Sequence, residues 1–112
     1  MELISWDDFA KVELRVGRIL SVEEFAAART PSYVLQVDFG EEIGVRKSSA
    51  RITTLYKPDD LIGKSVVAVV NLPKRQIGPL MSECLVTGFQ TSDGGVALCV
   101  PDREVVPGSR LF

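Results

Sequence analysis

The sequence predicts an all-β fold in the main, a small closed barrel of five strands, and three observations carry that reading. Hydrophobicity alternates with a period of two over residues 12–22 and again over residues 33–39, as it does in half-buried strands. Residues 66–70 are apolar without alternation, the pattern of a strand covered on both faces. Glycine, proline and asparagine separate these runs at turn positions, and no long helical period interrupts them.

A chain of 112 residues can bury one core, so residues 1–112 read as a single domain. Within it, residues 1–10 form a short helical lead, residues 11–100 the barrel, and residues 101–112 a C-terminal extension. The composition, 46% apolar and 25% charged, is that of a folded globular domain and not a disordered one. No run reaches the roughly 18 to 20 apolar residues of a membrane span, so no membrane insertion is expected. The first residues, MELISWDDF, carry acids where a signal peptide carries cations, which points to the cytoplasm.

Taken in order, residues 6–9 suit a short helix capped by Ser5 or Asp7. Trp6 and Phe9 on it either cover the open end of the barrel or pack against a second subunit, and the dimer is the favoured reading. Residues 12–22 form a long strand with Val12, Leu14, Val16, Leu20 and Val22 on one face and Glu13, Arg15 and Ser21 on the other. Gly17 at its middle permits a bulge or sharp coil, beside Arg18, which interrupts the apolar face. Tyr33, Leu35, Val37 and Phe39 define a second strand, which Gly40 ends and which turns into a third over residues 43–49. Residues 51–61 change period: Ile52, Leu55 and Tyr56 fall at helical spacing, and Pro58 stops the turn. Strands over 66–70, 84–89 and 96–100 follow, the last two joined at Ser92, Asp93, Gly94 and Gly95.

A coiled first strand, a three-strand meander, a helix between strands three and four and a closing hairpin are the element order of an OB-fold, a five-stranded Greek-key barrel. A small sandwich is the rival. The bent first strand favours the barrel, because it must pair with two neighbours to close it.

Chemistry is concentrated after the fourth strand, where Asn71, Lys74, Arg75 and Ser82 occupy an irregular loop between and beyond Pro73 and Pro79. Donors and positive charge without a nucleophile and base suit an anionic or extended polymeric ligand, not a reaction. Net charge is −2, yet residues 43–82 carry seven cations against two acids, the electrostatic footprint of a phosphate-binding face on an acidic protein. The chain has no His and its acids show no paired spacing, so an enzyme is disfavoured. Cys84 and Cys99 are too few for a four-ligand zinc site and read as small buried hydrophobes, with a disulfide the minor alternative. No cofactor or metal is expected. Of eight aromatics, Tyr33, Phe39 and Phe89 are expected to pack inward, leaving few planar groups for sequence-specific stacking.

Three segments, DDFAKVELRVGRILSVEEF at 7–25, VDFGEEIGVRKSSARIT at 37–53 and VVAVVNLPKRQIGPLMSECLV at 66–86, together make the chain resemble the stand-alone tRNA-binding domain proteins of the EMAP-II-like OB-fold family, and within it the branch of bacterial secretion chaperones. The resemblance covers nearly the whole chain. It implies a homodimer that binds tRNA or another structured RNA without catalysis, with Arg46, Ser48, Ser49, Asn71, Arg75 and Ser82 on the RNA side. The chain departs from the wider family at Cys84-Leu85, where many members have glycine and methionine. Lys47, Arg51 and Lys74 join the RNA-binding candidates, and Arg15 stands beside them, on charge and alternation alone. Each candidate has a structural alternative: Asn71 can end its strand by bonding the backbone, Ser48 and Ser49 can be strand residues only, and Glu83 can orient Arg75 or another cation. The competing function is a peptide-binding chaperone for unfolded, export-bound preproteins or their signal peptides, with Phe25, Ile77, Leu80 and Met81 as apolar contacts.

Overall fold

A computed structural model describes residues 1–112. Helix α1 (Trp6–Ala10) leads into β1 (Leu14–Glu24), β2 (Tyr33–Asp38) and β3 (Val45–Ala50). The one-turn helix α2 (Pro58–Leu61) and β4 (Ser65–Val69) follow. A hairpin of β5 (Arg75–Ile77) and β6 (Leu80–Ser82), the short β7 (Leu85–Val86), and a hairpin of β8 (Gly88–Gln90) and β9 (Val96–Leu98) complete the order. Five strands form one antiparallel sheet, β3-β2-β1-β4-β7. The long β1 pairs with β4 through its first half and with β2 through its second. This double pairing coils the sheet toward closure, and the expected OB-type barrel is the observed one.

Closure comes from the segment after β6. The Glu83 N–H donates to the Lys47 carbonyl at 2.8 Å, and the Lys47 N–H donates to Glu83 Oε1 at 3.0 Å. The Ser48 hydroxyl donates to the Cys84 carbonyl at 3.1 Å, and the Ser49 N–H donates to Ser82 Oγ at 3.2 Å. β3 therefore finds partners on the side away from β2 and presents no bare edge along that stretch. The interior is filled by Ile19, Leu35, Val37, Phe39, Leu61 and Val66, all essentially without exposure.

β1 departs from the simple alternation. Gly17 and Ile19 turn inward, and the register then slips between Ile19 and Ser21, so Leu20 is the extra residue of a bulge. Leu20 is consequently 47% exposed while Val22 packs on the core again. Gly17 serves a different end from the bulge expected there: a Cβ added to it would lie 2.6 Å from Phe39 Cε1 and would also collide with Val37. Only glycine lets β1 pass this close to the two buried side chains.

Residues 108–111 run along the first half of β1. Gly108 N–H donates to the Val16 carbonyl at 2.7 Å, Val16 N–H to Ser109 at 2.9 Å, and Leu111 N–H to Leu14 at 2.8 Å. Arg15 is drawn into this junction, bonded to the Gly108 carbonyl at 2.9 Å and to Glu13 at 3.2 Å, and Arg110 pairs with the other Glu13 oxygen at 2.9 Å. Arg15 thus ties the two ends of the chain together and is not offered to a ligand.

Four further expectations are corrected. Pro58 opens α2 instead of ending a helix over 51–61, because a proline's fixed φ and missing N–H suit the first helical position. The basic loop after β4 is largely the β5–β6 hairpin, turned at Gly78, whose φ of 55° favours glycine. Residues 84–89 divide into β7, which joins the main sheet, and β8, which pairs with β9. Phe89 faces outward and is 68% exposed, since Gly88 takes the tight approach to Val96 and Ala97 that a larger residue would prevent.

Candidate nucleic-acid interface

An open groove of about 1120 Å³ lies where the β1–β2 loop, the end of β3, the β5–β6 hairpin and β7–β8 meet. The hairpin tip lies beside the first of these: a Cβ on Gly78 would stand 3.7 Å from the Ala27 carbonyl oxygen. Arg29 enters from the β1–β2 loop, Arg51 from the residue after β3, and Arg75 from β5. Ile77, Val86 and Val96 share the lining with polar Thr30, Ser49, Gln76 and Thr87, and no acidic residue lines the groove. Three guanidinium groups in one groove of mixed polarity, with no acidic residue in the lining, suit an anionic ligand.

The sequence-derived candidates divide by position. Ser49, Arg51 and Arg75 line the groove, and Ile77, proposed for peptide, lies on the same wall. Lys47 and Lys74 are exposed and meet at Glu83, which accepts from the Lys47 N–H and pairs with Lys74 at 3.7 Å. The cation that Glu83 orients is therefore Lys74, not Arg75. Arg46 is half-buried and donates to the Val70 carbonyl at 2.6 Å. Asn71 accepts from the Glu13 N–H at 2.9 Å and donates to the Lys11 carbonyl at 2.6 Å, so its amide joins the end of β4 to the entry of β1.

Ser48 and Ser82 turn into the barrel wall. They are 1% and 8% exposed, and both hydroxyls donate to the Cys84 carbonyl, at 3.1 and 3.4 Å. Their place is in barrel closure. Phe25, Leu80 and Met81 lie outside the groove lining; the Phe25 backbone closes the β1–β2 turn by bonds with Ser32 and Ala28.

Sequence reasoning does not single out Arg29, which lies outside the basic segment 43–82 as a lone cation following Glu23 and Glu24. The available signal was topological: in an OB barrel the loop joining strands one and two faces the same side as the loop after strand four.

A nearly closed antiparallel barrel with this element order, and with its cationic groove between those two loops, defines an OB-fold binding domain. The chain belongs to the tRNA_bind family, described as "Putative tRNA binding domain", which matches residues 14–110. Its similarity to solved structures is high over the whole length. The chaperone CsaA of Bacillus anthracis str. Ames is 40% identical with a TM-score of 0.93, covering 99% of this chain and 100% of that one. The CsaA chaperone protein of Picrophilus torridus is 44% identical with a TM-score of 0.92, covering 98% and 100%. Among characterised sequences, the methionine–tRNA ligase of Thermococcus kodakarensis is 38% identical over 111 residues. The chain spans 99% of itself in that match but only 14% of the enzyme's length.

Proposed function

We propose that this chain is a non-catalytic binding protein that takes tRNA or a similarly structured RNA, as a homodimer in the cytoplasm. The observation that carries the reading is the groove, whose ionisable lining consists of Arg29, Arg51 and Arg75 alone. An acidic protein that gathers unopposed arginines at the loops of an OB barrel is arranged for phosphate. Lys47 and Lys74 extend the positive surface along β3 and the hairpin, where Glu83 offsets one of them. Recognition by backbone and shape follows, since no aromatic side chain lines the groove.

The dimer reading rests on exposed apolar residues at both ends of the chain. Leu3, Ile4 and Trp6 are 90%, 68% and 87% exposed, and Phe112 is fully exposed. The Arg110 bond to the Ala10 carbonyl, 2.9 Å, ties the C-terminal segment to the end of α1. A second copy of the chain would bury these exposed residues.

A second reading, a peptide-binding chaperone for export-bound preproteins, is favoured by the apolar residues in the groove lining, Ile77 among them, and by the two neighbours named as chaperones. The test is a gel-shift titration of bulk tRNA at two salt concentrations, with Arg51→Ala/Arg75→Ala and with an unfolded apolar peptide as competitor. If about four to six phosphates are neutralised by the dimer, the log-log salt slope is roughly −3 to −5 for the wild type and shallower for the variant. Absent RNA binding, with peptide retained, moves the chaperone reading to first place.

A further inference from the structure

The turn between β8 and β9 holds the one Asp-Gly pair of the chain, Asp93-Gly94, and its Ser92, Asp93 and Gly94 are exposed to water. In such a pair the peptide nitrogen can attack the preceding carboxyl, because glycine puts no Cβ in the way. The Gly94 nitrogen bonds to Asp93 Cγ, the carboxylic acid gives up its OH and the nitrogen its proton as one water, and a five-membered succinimide remains. A water then opens the ring at either carbonyl. Opening at the backbone carbonyl leaves the chain running through Asp93 Cγ, an isoaspartate with one methylene more in the main chain. Nothing is oxidised or reduced.

Both reacting groups are held by one residue. The Thr91 hydroxyl donates to Asp93 Oδ1, which also accepts from the Gly95 N–H at 3.2 Å. Bonds to the charged form favour it, and they hold the carboxyl below the usual carboxylate range, Thr91 first and Gly95 second. A carboxylate cannot leave its oxygen as water; only the acid form can. The nitrogen is engaged as well, since the Gly94 N–H donates to the Thr91 carbonyl at 3.1 Å. The Thr91 N–H in turn donates to the Gly95 carbonyl at 2.9 Å and closes the turn. An extra methylene between residues 93 and 94 would lengthen that closed ring, and the strain would pass straight to the groove. Gly95 is buried under Leu55, whose Cγ would lie 2.8 Å from an added Cβ, and the next residue, Val96, lines the groove beside Gly88.

We infer that Asp93-Gly94 is a latent isomerisation site and that Thr91 keeps it closed, with its hydroxyl on the Asp93 carboxylate and its carbonyl on the Gly94 N–H. Thr91 is a positioning residue for a reaction the protein suppresses. Where its grip is lost, isoaspartate forms at residue 93 and the β8–β9 wall of the groove shifts. The inference is independent of which ligand the groove takes.

The test incubates the full chain in mildly acidic buffer at physiological temperature and reads isoaspartate at residue 93 in the tryptic peptide 76–103, by chromatography and electron-transfer fragmentation. Wild type should form it at least about tenfold more slowly than a free peptide of residues 88–98, since two or more hydrogen bonds oppose the reaction in the fold. Thr91→Val, which keeps the side-chain shape and the backbone bonds but lacks the hydroxyl, should isomerise about fivefold faster than wild type, the worth of one net hydrogen bond. Thr91→Ser, which restores a hydroxyl, should return to the wild-type rate. A thermal melt establishes that each variant is folded during incubation; if Thr91→Val is not, wild type against the free peptide still decides. A folded Thr91→Val protein that isomerises at the wild-type rate, or a wild type as fast as the peptide, overturns the inference. In the separated isoaspartate form the Gly95 and Val96 amide resonances should move, and an unmoved Val96 would overturn the link to the groove.

Discussion

Gly17→Ala examines the closest approach in the barrel. The added Cβ would stand 2.6 and 2.8 Å from Phe39 Cε1 and Cδ1, and nearer still to Val37 Cγ1. Carbon atoms pack at about 3.5 to 4.0 Å, so Phe39 must retreat by roughly 1 Å. It has nowhere to go: Phe39 and Val37 are 1% and 0% exposed, and the interior around them is close-packed. Overpacking of this kind costs about 1 to 3 kcal/mol. Against it stands the entropy that glycine loses on folding, which alanine recovers by about 0.5 to 1 kcal/mol. The centres of these two ranges leave a net loss of about 1.3 kcal/mol, and at about 4 °C per kcal/mol for a domain of this size the melting temperature should fall by roughly 5 °C. Urea unfolding followed by circular dichroism and a thermal melt would both report it, with the denaturant slope unchanged. A Gly17→Ala protein as stable as the wild type would refute the claim that this glycine exists for close approach.

Other consequences can be checked with the same preparations. Ser48→Ala should cost about 1 kcal/mol in urea unfolding, since the buried Cys84 carbonyl loses a donor, yet leave tRNA affinity unchanged; a stable variant with weakened RNA binding would restore Ser48 as a contact. Burial pushes the Cys84 thiol up from 9.0 to about 11. Its folded value exceeds its unfolded one, so the stability it contributes is whole below pH 9 and is lost as the pH rises through 11. The urea midpoint should therefore fall over that window in the wild type and less so in Cys84→Ala, and parallel pH curves would discredit the assignment. The Asp93 carboxyl is held below the usual carboxylate range by the Thr91 hydroxyl and then by the Gly95 N–H; in an NMR titration Thr91→Ala should raise it. Trp6→Ser should shift the protein toward monomer in analytical ultracentrifugation without lowering its melting temperature as a monomer, because Trp6 touches no core of its own chain.

By itself the sequence determined where most strands lie, the barrel class and the position of the basic hairpin, because alternation, apolar runs and turn residues are local properties of the chain. Tyr33, Leu35, Val37 and Phe39 announce one buried face by period alone, and all four are buried. The three motif segments determined the family in the same local way. Tertiary structure decided what depends on partners distant in the chain. Leu20 faces water because the bulge at that residue resets parity against β2, and no period reveals where pairing slips. Ser48 and Ser82, which the resemblance puts on the RNA side, both give their hydroxyls to the Cys84 carbonyl, a pairing no local pattern shows. Arg15 and Arg46 count as free charge in the sequence, yet the chain satisfies them itself, at Gly108 and Val70. Arg29, hidden among acids in one dimension, joins Arg51 and Arg75 only when the barrel closes. The reason is physical: a charge becomes a binding group only where the fold leaves it unpaired, and pairing is settled by long-range contacts that local pattern does not encode.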